Sequence, residues 1–452
     1  MRTVGYTTFT DQLRVLATDV TRGAWGRVEQ DVHAALNGQA AEQLRALVPL
    51  QVRREEGAFF SGGEVRSKFS DLIGNDGRND QSLGYWDPTC GAGDLLLAAA
   101  SQLPKGPSLE QTLRQWGSLL RGEDLQSPFV EVARLRLFLA AAARHGEQGV
   151  RSDVRVEAGL RAFRRVRVAD GLASLRSTSG YQGHLLLNPP YGSVPASDGC
   201  DWATGAVSQA AVFTLAGAQA LGLGQRLSAI LPDVLRSGAR YEAWRARLEA
   251  VLNVKHVDLY GQFDAHTDID VFLLDGSRRR RVSAPTSCGL WWPDPIAKAS
   301  LEDAFEIRVG TVVDNRDPHD GPEVAFLTAR DLADVEAGRS LARTRQFAGR
   351  LVAPPFVAIR RTSRPGPGAG GAARAAGVIV TGRTPVAVDN HLITAKPTVG
   401  GVKECRRLLK VLSSAEVSEW LDQRIRCRHL TVGVVRALPW PPNAPRSQPA
   451  ST

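Results

Sequence analysis

Cysteine is scarce in this 452-residue chain: Cys90, Cys200, Cys288, Cys405 and Cys427 are scattered, with no C-x-x-C pair among them. That pattern argues against a zinc ribbon and against the dense disulfide framework of a small secreted domain. Also missing are an H-E-x-x-H helix, metal-spaced clusters of Cys and His, and a G-x-S-x-G elbow, so the sequence offers no motif for metal-assisted hydrolysis or serine-nucleophile chemistry. No apolar run is long enough to cross a bilayer, and the opening "MRTVGYTTFTDQLRVLATDV" has no signal-peptide core, which predicts a cytoplasmic protein with no membrane partner. No repeat of fixed period is present. Acidic residues are outnumbered: the net charge of +9 and a pI near 9.6 favour a polyanionic partner, although the basic residues are overwhelmingly arginine, which base composition alone also produces.

The composition shifts twice along the chain. Residues 1–55 carry apolar positions at helical spacing and read as a helical lead-in. Across 56–281, strand-like runs alternate with helical patterns: "LGYWDPTCGAG" then "DLLLAAASQL", "RGEDL" then "PFVEVARLRLFLAAAAR", "GHLLLNPP" then "AVFTLAGAQALGL", "RLSAILP" then "YEAWRARLEAVL". That alternation predicts an α/β, doubly wound, Rossmann-like parallel sheet, closed by an antiparallel hairpin from "HVDLYGQF" and "IDVFLLDG". Residues 300–440 hold β-branched runs separated by turn residues and end in a helical stretch, which predicts a β-rich second domain. Residues 441–452, "PPNAPRSQPAST", read as a disordered tail.

Chemistry concentrates in two motifs. "LLLNPPYG" ends a buried-strand pattern in Asn188, Pro189, Pro190 and Tyr191. Proline restricts itself and the residue before it, so the strand end is stiff and projects the Asn188 carboxamide and the Pro189 carbonyl beyond the sheet, where open α/β folds bind ligands. Two such oxygens beside an aromatic face suit a planar exocyclic amine; an ordinary proline-rich turn is the alternative. In "DPTCGAGDLL", Gly91 and Gly93 let the backbone turn tightly after a strand ending at Asp87 and open a helix behind a ligand. A third glycine and a Lys-Ser/Thr pair are both missing, which speaks against a dinucleotide or polyphosphate ligand. Asp124 and Asp170 stand at the next two strand ends, suited to ribose hydroxyls and an adenine amine. Each taken alone reads better as a helix N-cap; together, in this order, they favour a cofactor.

In these residues the chain resembles the amino-methylating DNA methyltransferases, in particular the N6-adenine class whose cofactor motifs precede the catalytic one. The resemblance implies that "DPTCGAGDLL" is the S-adenosylmethionine loop, that Asp124 binds ribose and Asp170 adenine, and that Asn188, Pro189, Pro190 and Tyr191 are catalytic. "GAFFSGGEVRSKF" resembles the segment that contacts the methionine end of the cofactor, placing Phe60 and Ser61 there. Ser61 and Gly62 stand where the pattern has Thr-Pro. Phe263 lies near the aromatic that packs against a flipped base. The C-terminal region resembles the target-recognition domains of restriction-modification proteins. Arg360, Arg361, Arg364 and Arg374 in "RRTSRPGPGAGGAAR" read either as phosphate contacts or as a solvated glycine-rich loop.

Three functions follow. The first is a sequence-specific DNA adenine-N6 methyltransferase, the modification component of a restriction or phage-defence system, acting on double-stranded DNA beside a separate restriction endonuclease or defence-system subunit. The second is an RNA or protein-glutamine N-methyltransferase using the same N-P-P-Y site. The third is a binding subunit that has lost turnover, against which the intact Asn188–Tyr191 motif and Asp124 argue.

Overall fold

The structure is a computed structural model that describes residues 6–56, 63–74, 83–149, 154–196, 200–264, 267–280, 290–292, 299–362, 373–426 and 429–440. The chain divides into two compact units, Met1–Arg236 with Arg240–Ser287, and Ser237–Ala239 with Cys288–Thr452.

Apolar side chains at helical spacing near the N-terminus form α1 (Thr7–Thr21), α2 (Trp25–Leu36), α3 (Gln39–Leu47) and α4 (Leu50–Glu56), followed by α5 (Gly63–Gly74). These helices are not a detached leader. Phe9, Leu13, Val28 and Val32 belong to one hydrophobic cluster with Leu96, Val132, Leu135 and Leu139 further along the chain.

The α/β pattern then unfolds in order. β1 (Gly84–Asp87) leads through a glycine turn into α6 (Asp94–Gln102) and α7 (Leu109–Leu119), which feed β2 (Leu120–Asp124). α8 (Ser127–Gly149) and α9 (Val156–Ala162) return the chain to β3 (Val166–Val168), and α10 (Gly171–Ser177) to β4 (Gly183–Leu187). A small hairpin, β5 (Ser193–Pro195) and β6 (Ala206–Ser208), precedes α11 (Gln209–Ala220) and β7 (Arg226–Pro232). Then come α12 (Asp233–Ser237), α13 (Glu242–Val251), and the long strands β8 (Leu252–Asp264) and β9 (Thr267–Arg278).

Seven of these strands form one sheet in the order β3-β2-β1-β4-β7-β9-β8. β3 to β7 are parallel, and β9 runs antiparallel to both β7 and β8. This is a doubly wound, Rossmann-like arrangement, with the order reversing between β1 and β4. β4, buried along its whole length, is covered on both faces. Leu186 joins the cluster that contains the N-terminal helices and α6, whereas a Cβ built on Gly217 of α11 would lie 2.6 Å from Leu185 and 3.3 Å from Leu187. Successive residues of β4 therefore face opposite layers. Arg226 fastens α5 to the sheet, donating to the Leu72 and Ile73 carbonyls at 2.7 and 3.0 Å and pairing with Asp275 of β9 at 2.7 Å.

The second unit contains β10 (Phe305–Val309), β11 (Glu323–Leu327), α14 (Leu332–Glu336), β12 (Thr344–Gln346), β13 (Phe356–Arg360), β14 (Gly377–Val380), β15 (Ala387–Val388) and β16 (Leu392–Pro397). They build a four-stranded sheet, β10-β16-β13-β14, and a three-stranded one, β12-β11-β15. α15 (Gly401–Leu412), α16 (Ala415–Arg424) and α17 (Val432–Arg436) follow. Cys405, Leu408, Leu412 and Leu421 from α15 and α16 pack against Phe305, Ile307, Ile359 and Ile393.

If the N-terminal helices belong to the core of the first unit, Phe9→Ala is expected to cost about 3–5 kcal/mol, the usual range for emptying a buried aromatic site. Chemical denaturation followed by tryptophan fluorescence and by far-ultraviolet circular dichroism should shift together. A loss confined to a fraying N-terminal signal would show that these helices dock independently.

Candidate active site

Parallel strands present their C-terminal ends along one edge, and here each of the five carries an acid or an amide. Asp87 closes β1 and Asp124 closes β2; Asp170 follows β3 by two residues, Asn188 follows β4 directly, and Asp233 follows β7. Strand register aligns them, with Asp87 opposite Gly122, Asp124 opposite Val168, and Leu187 opposite Ala229.

The turn after β1 is held from both sides. Gly91 and Gly93 adopt φ values of +48° and +88°, which only glycine adopts at little cost, and Gly93 directly precedes α6. The Gly91 N–H donates to Asp124 Oδ2 at 3.1 Å, and Asp124 Oδ1 accepts from the Gln126 N–H at 2.8 Å. Two fixed backbone donors orient this carboxylate. The Cys90 N–H reaches the Glu123 carbonyl at 2.9 Å, tying the turn to β2 a second time.

Behind the turn lies Arg136 of α8, fully buried. Its guanidinium donates to the Ala92 carbonyl at 2.7 Å, the Ala35 carbonyl at 2.9 Å and Asp94 Oδ1 at 2.9 Å. Sequence patterning did not single it out. The available signal was a charge inside the apolar run "LRLFLAAAA".

Asp87 is 1% exposed and accepts from the Thr89 N–H and hydroxyl at 3.0 and 3.3 Å. Desolvation raises its carboxyl from an ordinary 3.8 to about 8, with the nearby charges of Asp124 and Asp94 adding to the rise and the Thr89 donors opposing it. Asp170 caps α10, its Oδ1 accepting from the Leu172 and Ala173 N–H groups at 2.9 and 3.0 Å. The next residue, Gly171, fits against the glycine turn so closely that a Cβ there would sit 1.7 Å from the Pro88 carbonyl oxygen.

Across the reversal of strand order stands the Asn-Pro-Pro-Tyr segment. The Tyr191 hydroxyl donates to Asn188 Oδ1 at 2.9 Å, so one lone pair of that oxygen is engaged within the motif. Burial raises the Tyr191 hydroxyl well above the ordinary phenol range, which keeps it neutral and a donor. The Tyr191 ring meets Phe263 of β8 edge-on, with centroids 6.0 Å apart and planes at 82°. The structure thus brings together Asn188, Pro189, Pro190, Tyr191 and Phe263 in one group, and Asp87, Gly91, Gly93, Asp124 and Asp170 in another on the same edge. Phe60 and Ser61 lie outside the described residues.

Among the arginines expected to contact phosphate, the structure separates three. Arg360 is exposed at the end of β13. Arg361 is half-buried and donates to the Asn390 carbonyl at 2.7 Å, so it braces a turn. Arg374 is 3% exposed and pairs with Asp422 of α16 at 2.9 Å, which makes it a packing residue; its guanidinium is committed inside the second unit and does not face a phosphate. Arg364 lies outside the described residues.

A ligand for the first edge can be tested against its donor set. The Asp124 and Asp170 carboxylates stand beside a glycine turn with the buried Asp87 carboxyl beneath it, while the charge on Arg136 is spent behind that turn on Asp94 and backbone carbonyls. This chemistry fits an adenosyl ligand that bears a positive charge and no phosphates, and it fits a nucleotide polyphosphate poorly.

No family model matches the sequence, and neither does a curated protein. Similar folds do occur among solved structures. The type IIL restriction-modification enzyme MmeI, solved in complex with DNA, aligns over 89% of this chain and 70% of its own at 12% identity and a TM-score of 0.53. The type IIG restriction endonuclease BpuSI aligns over 88% of this chain and 60% of its own at 14% identity and a TM-score of 0.41. A type I restriction-modification methyltransferase subunit from Streptococcus thermophilus covers 55% of this chain and 50% of its own at 18% identity and a TM-score of 0.35.

Two consequences are measurable. A carboxyl raised in the folded state contributes stability below its unfolded pKa and loses it as pH climbs through the folded value. Relative to Asp87→Asn, the ligand-free wild type should therefore lose stability between about pH 4 and about pH 8. Parallel denaturation curves across that window, with a constant gap, would contradict the burial of Asp87. Arg136→Met should cost about 3–5 kcal/mol by stranding Asp94. Adding Asp94→Asn to that variant should recover part of the loss, and a double variant no more stable than the single one would deny the pairing.

Proposed function

We propose that the first unit binds S-adenosylmethionine and that the chain is a DNA methyltransferase acting on the N6 amine of adenine, the modification component of a restriction-modification or phage-defence system. The observation that supports this reading is the meeting of the acid-lined glycine turn with the Asn188–Tyr191 segment across the point where strand order reverses.

When bound, S-adenosylmethionine supplies an electrophilic methyl group and carries its own leaving group. Asp124, already oriented by the Gly91 and Gln126 N–H groups, accepts from the ribose hydroxyls. Asp170 has Oδ1 occupied by the α10 cap and offers Oδ2 to the adenine amine of the cofactor. Adenine N6 in a duplex is shielded by stacking and pairing, so the substrate base is taken out of the helix. Its N6 amine would donate hydrogen bonds to Asn188 Oδ1 and the Pro189 carbonyl oxygen, which concentrates lone-pair density on the nitrogen; the single proton displaced by methylation would leave to solvent, while Tyr191 and Phe263 supply the surface that replaces base stacking. The Tyr191 hydroxyl shares Asn188 Oδ1 with the incoming amine and so holds the carboxamide in place.

The deciding experiment is incubation of the full-length protein with labelled S-adenosylmethionine and unmethylated genomic DNA, followed by nucleoside analysis. Label in N6-methyladenine is expected. Label confined to RNA or to protein glutamine would replace this reading with the alternative use of the same motif. Asn188→Ala should lower kcat by at least about a hundredfold, in line with loss of a positioned polar group acting on the reacting atom, while calorimetry shows little change in cofactor affinity. Asp124→Ala should show the opposite order, with cofactor Kd rising first. Equal loss of cofactor affinity in both variants would contradict the division of roles.

A further inference from the structure

The second unit holds an open groove of about 870 Å³ whose lining includes Thr328, Arg330, Arg343, Arg360, Asp389 and His391. Its floor is built by strand ends. Leu327 of β11 pairs with Val388 of β15, the Asp389 N–H donates to the Leu327 carbonyl at 3.0 Å, and Arg360 of β13 pairs with Leu392 of β16. The Arg360 guanidinium bridges the groove floor by donating to the Ala329 carbonyl at 3.0 Å.

Its charges are unevenly committed. Asp314, also on the lining, pairs with Arg345, a buried residue outside the lining, and Asp389 is taken by His391. Arg330 and Arg343 are exposed, and Arg343 has Asp331 only as a distant partner at 3.5 Å. The groove is therefore net positive and suited to a polyanion.

His391 gives it a second property. Its Nδ1 lies 3.0 Å from Asp389 Oδ1, and its own backbone N–H donates to the same oxygen at 3.2 Å. In the neutral ring, a proton on Nδ1 facing this carboxylate leaves Nε2 as the acceptor, and no partner for Nε2 is found among the described residues. An exposed ring with a fixed tautomer, flanked by guanidiniums, pairs one orientation-dependent hydrogen-bonding group with groups that attract charge without regard to sequence.

We infer that this groove receives duplex DNA, with Arg330 and Arg343 on phosphates and His391 reading the exocyclic amine of an adenine or cytosine through Nε2. Major-groove edges of those two bases present such an amine, whereas guanine and thymine present acceptors there, so the histidine discriminates between bases. Phosphate contacts set affinity and register alone. This inference rests on the DNA-methylating role proposed above.

The test uses the full-length protein and two readouts. Anisotropy with a random-sequence duplex over a salt series needs no methylation. Arg330→Ala with Arg343→Ala should weaken binding roughly tenfold or more at low salt and flatten the salt dependence by about one unit per lost contact. Mapping of N6-methyladenine across a genome then reads specificity. His391→Ala should leave random-duplex affinity within about twofold and relax the modified sequence at one position, with preference there falling roughly tenfold; His391→Gln, which restores an acceptor, should recover part of it. An unchanged salt dependence in the arginine variant, or an unchanged modified sequence in His391→Ala, would overturn the assignment. A wild-type protein that labels only RNA or protein would sink the proposed activity instead, and the random-duplex measurement would still decide whether the groove binds DNA.

Discussion

The arrangement of the first unit hangs on one buried cation. Arg136 brings a full charge into the interior, where an ion is tolerated only if nearly every donor is used. Its partners come from three places: the C-terminal carbonyls of α2, the carbonyl of Ala92 inside the glycine turn, and the Asp94 carboxylate that opens α6. None of these can move without exposing an unmatched group. The glycine turn after β1 and the end of α2 are thus tied to the same guanidinium.

In front of that cation the balance reverses. Asp87, Asp124 and Asp94 lie close enough that like-charge repulsion adds to desolvation at Asp87. With its carboxyl raised to about 8, Asp87 avoids most of that repulsion at neutral pH by holding its proton, and a positive charge brought near it would favour the ionised form. On the Asn188 side a carboxamide, the neutral Tyr191 phenol and the Phe263 ring stand together, and the acid at the next strand end, Asp233, is paired with Arg236. The two halves of the edge therefore differ in kind: one electrostatic, one built from dipoles and shape.

Much of this was legible in the residues. Alternating apolar runs and helical periods anticipated β1 to β4, β7 and the closing hairpin, because local pattern and burial agree there. The strand-end residues Asp87, Asp124, Asp170 and Asn188 were legible because parallel strands impose a common edge. What escaped depends on contacts distant in sequence. Nothing around Arg136 names the carbonyl of Ala35 as its partner, 101 residues away. Arg374 looked like a loop arginine because glycine and proline surround it on the N-terminal side, yet its partner Asp422 comes from a helix 48 residues on. The groove at His391 exists only once β11 pairs with β15, and no local pattern states that pairing. The Tyr191–Asn188 hydrogen bond lies within one motif, but it needs the turn geometry that two successive prolines create.

The tight seat of Gly171 reaches beyond this one chain. Its backbone angles are not of the left-handed kind that usually demands glycine; the requirement comes from the Pro88 carbonyl on a different strand's turn. A side chain at this position would prise the α10 cap away from the glycine turn after β1, so the two segments can diverge in sequence only while position 171 stays bare. In a comparison of distant relatives, a glycine directly after the third strand's aspartate would thus be a steric fingerprint of this particular loop-to-helix packing, recognisable even where the surrounding residues have drifted past alignment.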